Sequence, residues 1–105
     1  MAKMVQDRLE LHELLCEKLG SRHVYFQPPE SVKMSYPAIR YSRNRIENVS
    51  ADNIVYKQAV SYTITVIDRD PDSEIVERVS QIPHIMYDRS YVASNLNHDV
   101  FRLFI

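Results

Sequence analysis

Two adjacent residues, His98 and Asp99, are the side chains of this sequence most suggestive of catalysis. Hydrolases that use such a pair hold a metal ion with further His and Asp ligands on helices. His12, His23 and His84 show no paired ligand spacing on a common helix, so the sequence does not support a metal-dependent active site. We instead predict that His98 and Asp99 make turn hydrogen bonds leading into the last strand.

The remaining candidate groups are better explained by structure than by chemistry. Cys16 is the only cysteine, and its place on the apolar side of a helix predicts a small buried hydrophobe rather than a nucleophile. Asp68, Asp70 and Asp72 alternate as in a calcium loop, but Pro71 and the absence of the loop's glycine and bidentate glutamate spoil that pattern. We predict that Asp70 caps a helix, with Pro71 at its first position.

Composition excludes several classes of function. The single glycine, Gly20, cannot supply the glycine-rich loop of a phosphate or dinucleotide site. A net charge of -1 gives no overall positive field for binding nucleic acid or an anionic membrane nonspecifically. No apolar run approaches the ~20 residues of a membrane span, and the N-terminus lacks the apolar core of a signal peptide. We predict an intracellular, non-enzymatic protein without a cofactor or metal.

Hydrophobic periodicity indicates how the chain is organised. The 105 residues, 45% hydrophobic and 26% charged, predict a single domain over residues 1–105. A helix is predicted over residues 4–19 with Gly20 as its stop, and a second helix from Asp70 to the turn before Pro83. The predicted strands cover residues 23–27, 36–46, 55–67, 85–87 and 100–105, with a polar connection over 88–97.

The long alternating strand, residues 55–67, is the clearest of these elements. Its alternation places Tyr62, Ile64 and Val66 on one face, and with the strand over 36–46 it predicts a long antiparallel hairpin. At ~3.3 Å per residue this hairpin is longer than so small a globule needs, so we expect part of it to project. The predicted fold class is α+β, a mostly antiparallel sheet with two helices packed on one face and a long β-hairpin.

The first predicted helix has an unusually wide apolar side. Its apolar residues spread over an arc of roughly 220°, more than one sheet face would cover. Arg8 and His12 fall inside that arc. Two interpretations stay open: Arg8 lays its stem along the core while His12 lies at the core edge, or this side of the helix meets another subunit.

Charge is segregated along the chain. Residues 22–57 carry six basic and three acidic side chains, a balance of +3, whereas residues 68–99 carry three basic and seven acidic ones, a balance of -4. Ordinary surface scatter is one explanation. The other is head-to-tail association of copies, a contact that closes into a ring when the rotation allows. Seven tyrosines, several alternating with arginines in residues 36–45 and 87–91, add the residue types that interfaces favour.

Several segments resemble one family. The motifs IPH at 82–84, YDRSYV at 87–92 and NLNHDVF at 95–101 resemble the C-terminal half of small tail proteins of long-tailed phages and prophages, known as tail terminator, tail completion or minor capsid proteins. The motif YPAIRY at 36–41 and the strand over 62–68 are similar to them too. The resemblance covers most of the chain from about residue 22.

This resemblance implies a structural virion protein assembled in the bacterial cytoplasm. It implies a homo-oligomeric ring, commonly a hexamer, at the head-proximal end of the tail tube. There it stops polymerisation of the tube protein and offers a surface to the head-tail connector proteins. The family supplies no catalytic residues, and nucleic acid would meet the ring only by passing through its lumen.

We predict a subunit interface from these observations. The basic edge of the hairpin, Arg40, Arg43 and Arg45, is expected to meet acidic residues of a neighbouring copy. The acidic residues are Asp68, Asp70, Asp72 and Glu74. The first helix adds two further interface candidates, Arg8 and His12. A head-side adaptor is an alternative function. Another is a small nucleic-acid-binding regulator that uses the same arginines and Tyr41, although the glycine-containing motif of the common RNA-binding sheet is absent.

Overall fold

The computed structural model describes residues 7–44, 47–51 and 54–104. These residues form two helices, a five-stranded sheet and a separate two-stranded ribbon. The elements are, in chain order, α1 (Arg8–Leu19), β1 (Val24–Phe26), β2 (Ala38–Arg43), β3 (Glu47–Ala51), β4 (Ile54–Ala59), β5 (Ser61–Asp68), α2 (Glu74–Ser80), β6 (Ile85–Ala93) and β7 (Leu96–Phe104). The sheet order is β1-β2-β5-β7-β6, and β3 pairs with β4 in the ribbon.

All strand pairs are antiparallel except β1 with β2, which is parallel. The pairing of β2 with β5 and of β3 with β4 makes the two segments of a long β-hairpin. The predicted strand over 55–67 is interrupted at Val60, between the ribbon strand β4 and the sheet strand β5. The ribbon therefore continues the hairpin past the end of the five-stranded sheet.

Both helices cover the same face of the sheet. Ile64 and Phe101, paired across β5 and β7, are fully buried there together with Leu15 of α1 and Val79 of α2. Burial of apolar surface from two helices against one sheet face is the main stabilising term of such a layered fold. The predicted α+β class, with two helices on one face of a mostly antiparallel sheet, is confirmed.

The start of α1 differs from the prediction, whereas its end agrees. Asp7 has an extended backbone and its carboxylate accepts a hydrogen bond from the Glu10 N–H at 2.8 Å, so α1 begins at Arg8. Residues 4–6 of the predicted helix lie outside the described residues. Gly20 adopts the left-handed conformation with φ of 84° and donates its N–H to the Cys16 carbonyl. A side chain at Gly20 would be strained in that conformation.

The start of α2 was predicted wrongly at Asp70. The capping residue is Ser73, whose hydroxyl accepts from the Ile75 N–H at 3.2 Å. The Asp68 carboxylate accepts from the Asp70 N–H, and the Asp70 carboxylate accepts from the Asp72 N–H. These successive Asx turns hold the preceding segment out of a helix, because each side chain satisfies a backbone donor that a helix would use.

The predicted polar connection over 88–97 is also wrong. This segment belongs to the hairpin of β6 and β7, which turns through Ser94 and Asn95 with φ of 53° and 63°. Two positive φ values in a two-residue loop match the right-handed twist of a hairpin, and Asn tolerates them. β6 is an edge strand that is mostly exposed, so its polar residues conceal its extended conformation in the sequence. A bulge at Asp88 interrupts its pairing.

Candidate assembly interface

Arg8 and His12 contact the rim of the core within their own chain. The Arg8 guanidinium lies 4.6 Å from the centre of the Phe26 ring, a cation–π distance. His12 Nδ1 is hydrogen-bonded to the Tyr41 hydroxyl at 2.7 Å. Tyr41 is almost fully buried, and this burial raises the pKa of its phenol above the ordinary value of 10.0. Both candidates therefore already have partners inside the subunit.

Arg40 and Arg43 lie on opposite faces of β2, as the alternation of a strand requires. Arg43 is on the helix side, where its Nε donates to the Tyr62 hydroxyl at 3.3 Å. Arg40 is on the other, helix-free face. The two side chains cannot form one flat basic patch. Arg45, the third arginine of the predicted basic edge, lies outside the described residues.

The structure brings the predicted acidic residues together. Asp68 ends β5, Glu74 begins α2, and Asp70 and Asp72 lie between them. We call residues 68–74 the acidic loop. Asp70, Asp72 and Glu74 are exposed, and Glu74 makes a 3.7 Å ion pair with Arg78 one helical turn away. In the described part of the chain, the other three carboxylates form no ion pair.

The acidic loop and the ribbon lie at opposite ends of the sheet. β5 runs from Ser61, next to the ribbon, to Asp68, where the acidic loop begins. Arg43 pairs with Tyr62 at the ribbon end, so the basic hairpin residue and the acidic loop are separated by roughly 20 Å at ~3.3 Å per residue. The charge segregation of the sequence becomes a polarity along the strands.

A second feature is a depression of about 340 Å³ on the helix-free face, which we call the arginine cavity. Arg40 and Arg89 supply its cations, Tyr91 closes one side, and Thr63, Thr65 and Val100 belong to its lining. Arg40 Nη2 is 3.4 Å from the Tyr91 hydroxyl, although β5 and β7 lie between their strands. None of the described residues that line the cavity carries a carboxylate.

Tyr91 is held in place from below by His98. The two rings stack with centroids 4.6 Å apart and planes 11° apart. His98 is buried in β7 with Nδ1 3.0 Å from the Leu96 carbonyl oxygen, and Asp99 accepts a hydrogen bond from the Tyr87 hydroxyl at 2.8 Å. Both residues lie within a strand, so the prediction that they make turn hydrogen bonds before it was wrong.

The outer side of α1 forms a broad groove of about 1100 Å³. Leu9, Leu14 and Cys16 belong to its lining, and glutamates including Glu13 and Glu17 lie along it. Leu9 is 67% exposed, so the wide apolar arc of the helix is only partly buried in the subunit. The two carboxylate oxygens of Glu13 accept from Arg22 at 2.9 and 3.1 Å, and this hydrogen bonding lowers the pKa of Glu13.

Sequence reasoning missed Arg89 and Tyr91 as members of one site with Arg40. The tyrosines and arginines of residues 87–91 indicate an interface, but the predicted polar connection over 88–97 assigns their side chains to no face of the sheet. A local signal for this hairpin is the Ser94–Asn95 pair, because Asn tolerates the positive φ that a two-residue turn requires.

Other kinds of site are not found in the described ranges. No group of three or more His, Cys, Asp or Glu residues there has an arrangement that could hold a metal ion. None of the helices described is both long and apolar enough to cross a membrane.

Comparison of the chain with models of protein families, with curated proteins and with solved structures finds no match in any of the three. The surfaces described above therefore carry the functional argument.

Proposed function

We propose that the protein is a structural, non-enzymatic virion subunit that forms a homo-oligomeric ring at the head-proximal end of a phage tail tube. In this role the ring matches the tube on one face and ends its polymerisation. Its other face, which offers no site for a further tube subunit, meets the head-tail connector proteins. The mechanism is geometric and depends on a closed set of contacts between copies.

The observation that carries this proposal is the two-stranded ribbon of β3 and β4. Within the residues that the structure describes, these strands, of five and six residues, pair only with each other. A two-stranded hairpin is only marginally stable in water without a further strand or layer to cover it. A contact with another copy or with the tube would supply that cover, which favours an assembly subunit over a protein that acts alone.

The shape of the subunit supports the same proposal. Its radius of gyration is 14.7 Å and its extents are 47 × 33 × 22 Å. A compact domain of about 100 residues has a radius of gyration near 13 Å. The larger radius of gyration reflects the elongated shape of the subunit. In a ring, an elongated subunit can contact its neighbours through segments that project from its core.

The first test is the native mass by light scattering behind size exclusion, at micromolar concentration and at low and high salt. We expect a closed oligomer of about six copies that loosens as salt screens the contacts between opposite charges. A ribbon-deleted variant, with residues 45–60 replaced by Asn-Gly, should keep the sheet and lose the oligomer. The Asn44 N–H already donates to the Ser61 carbonyl at 2.7 Å, so a two-residue turn can join these two paired residues.

The matched control is Arg22→Ala, which removes an exposed ion pair far from the ribbon. It should leave the native mass unchanged. An oligomer that survives deletion of the ribbon would contradict the role given to the ribbon.

The second test addresses the tail directly. Tail tube protein from the phage or prophage that encodes the chain is polymerised with and without the purified protein, and tubes are measured by electron microscopy. We expect capped tubes that stop growing, with added density at one end only. Unchanged elongation and bare ends would overturn the tail-terminating function, whatever the native mass.

A further inference from the structure

We infer that the arginine cavity is the receiving half of the contact between copies, and that the acidic loop of the neighbouring subunit occupies it. This inference rests on the proposed ring and assigns residues to its contact. It pairs Arg40 and Arg89 of one copy with Asp70 and Asp72 of the next.

Arg40 lacks the partner that its chemistry favours. Its guanidinium has five N–H donors arranged to bind a carboxylate through two parallel hydrogen bonds. In the described part of the chain its hydrogen bond is the 3.4 Å contact with the neutral Tyr91 hydroxyl, and it forms no ion pair. The Arg89 side chain pairs with Asp88 at 2.9 Å but stays 64% exposed.

The cavity around Arg40 is formed in advance of binding. The Tyr91–His98 stack holds the phenol in position, and the floor consists of strands β5 and β7, where Thr65 and Val100 are 5% and 2% exposed. A volume of about 340 Å³ is within the range of ligand sites, which begins at ~300 Å³. A preformed cavity binds a carboxylate without first ordering its own side chains, which lowers the cost of association.

The acidic loop is the matching surface on the same chain. The Asx turns fix its backbone while each leaves carboxylate oxygens available, and the Asp72 carboxylate makes no hydrogen bond to a described residue. Asp70 and Asp72 are exposed and form no ion pair in the described ranges. A loop presenting two carboxylates is complementary in charge to a cavity presenting two guanidinium groups.

The loop cannot reach the cavity of its own subunit. Asn97 Nδ2 donates to the carbonyls of Asp68 and Arg69, which holds the start of the loop at the end of the sheet. The loop then leads into α2, which packs on the helix side, whereas the cavity is on the opposite face. The contact must therefore join two copies, and it joins different surfaces of each. Such a head-to-tail contact is the kind that generates rings.

The test measures binding of the loop itself. A fluorescein-labelled peptide of residues 67–75 is titrated by fluorescence anisotropy into the full chain carrying Asp70→Lys and Asp72→Lys, whose own loop no longer competes. We expect saturable, salt-sensitive binding that falls ~10-fold or more when Arg40→Glu is added. Arg102→Glu is the matched control, since Arg102 is an exposed arginine on the same face outside the cavity, and it should change the affinity less than ~2-fold.

The native mass supplies the second readout. Arg40→Glu alone and the Asp70→Lys, Asp72→Lys pair should each lower the mass to that of a monomer, while Glu77→Lys, outside the loop, should not. The chain that carries Arg40→Glu and Arg89→Glu together with both lysines should regain the oligomer, because all four charges of the contact are then exchanged. Circular dichroism confirms that each variant is folded.

The possible outcomes separate this inference from the proposed function. If the native mass stays that of the oligomer in both Arg40→Glu and the loop variant, the proposed contact is wrong, whereas the proposed ring is not contradicted. Arg40-dependent peptide binding, together with a natural chain that stays monomeric even when tail tubes are added, supports binding of the loop in the cavity and overturns the ring. A single-stranded oligonucleotide that outcompetes the peptide in an Arg40-dependent way would assign the cavity to nucleic acid and overturn the inference.

Discussion

The two faces of the sheet are buried by different means. On the helix side, α1 and α2 cover Ile64 and Phe101 with apolar side chains. On the helix-free side, Thr65 and Val100 are nearly as buried, yet they line the arginine cavity together with Arg40 and Tyr91. The first face closes the fold, whereas the second keeps polar groups beside a cavity. The packed core and the proposed contact surface thus lie on opposite faces of the same strands.

The largest expected effect compares neighbouring residues on the two faces. Phe101→Ala should lower the free energy of unfolding by about 3–5 kcal/mol, because it removes a fully buried ring and leaves a cavity beneath the helices. Val100→Ala should lower the free energy of unfolding clearly less, because it removes fewer buried atoms and Val100 already lines the arginine cavity. Urea denaturation followed by circular dichroism measures both. Equal losses would show that the helix-free face is closed as tightly as the other.

A smaller effect is expected at the polar rim of the helix side. Tyr41→Phe removes the hydroxyl that is bonded to His12 and should cost about 1 kcal/mol at pH 8. Burial raises the pKa of the folded phenol, so the unfolded chain releases its proton first as pH rises past 10.0, and stability falls above that pH. The variant should therefore lose less stability than the natural chain between pH 9 and 11.

If the Tyr41→Phe variant loses as much stability as the natural chain between pH 9 and 11, the effect assigned to burial of Tyr41 is wrong.

The smallest effect on folding is expected on the helix-free side. Tyr91→Phe deletes the hydroxyl that faces Arg40 but keeps the stack on His98. The free energy of unfolding should change by less than about 0.5 kcal/mol, as for most surface substitutions. Thermal melting checks this. If Tyr91→Phe lowers the free energy of unfolding as much as Tyr41→Phe does, the Arg40–Tyr91 contact stabilises the fold. The two faces would then not differ in the way described above.

Prediction from the sequence succeeded where local chemistry and burial point the same way. The alternation of Tyr62, Ile64 and Val66 identified the face that the helices cover, and Gly20 marked the end of α1 because few other residues adopt its φ. It failed over residues 88–97, where an exposed edge strand tolerates polar side chains and loses the pattern that identifies a strand.

The candidate site was only partly accessible to the same reasoning. Charge segregation indicated that residues near Arg40 and the aspartates from 68 to 72 belong to opposite surfaces. The cap of α2 was misplaced at Asp70 because an aspartate before a proline satisfies the rules for a cap and for an Asx turn equally well. Ser73 became the cap through tertiary burial of Ile75 and Val79, which sets where the helix must begin.

The sequence by itself determined the fold class, the covered face of the long strand and the separation of charge, because each depends on residue type and spacing along the chain. Only the tertiary structure decided that Arg40 meets Tyr91 rather than Arg43, and that the acidic loop faces away from the cavity. These relations join strands distant in the chain. They depend on sheet order and on which face each element packs against, neither of which a local pattern records.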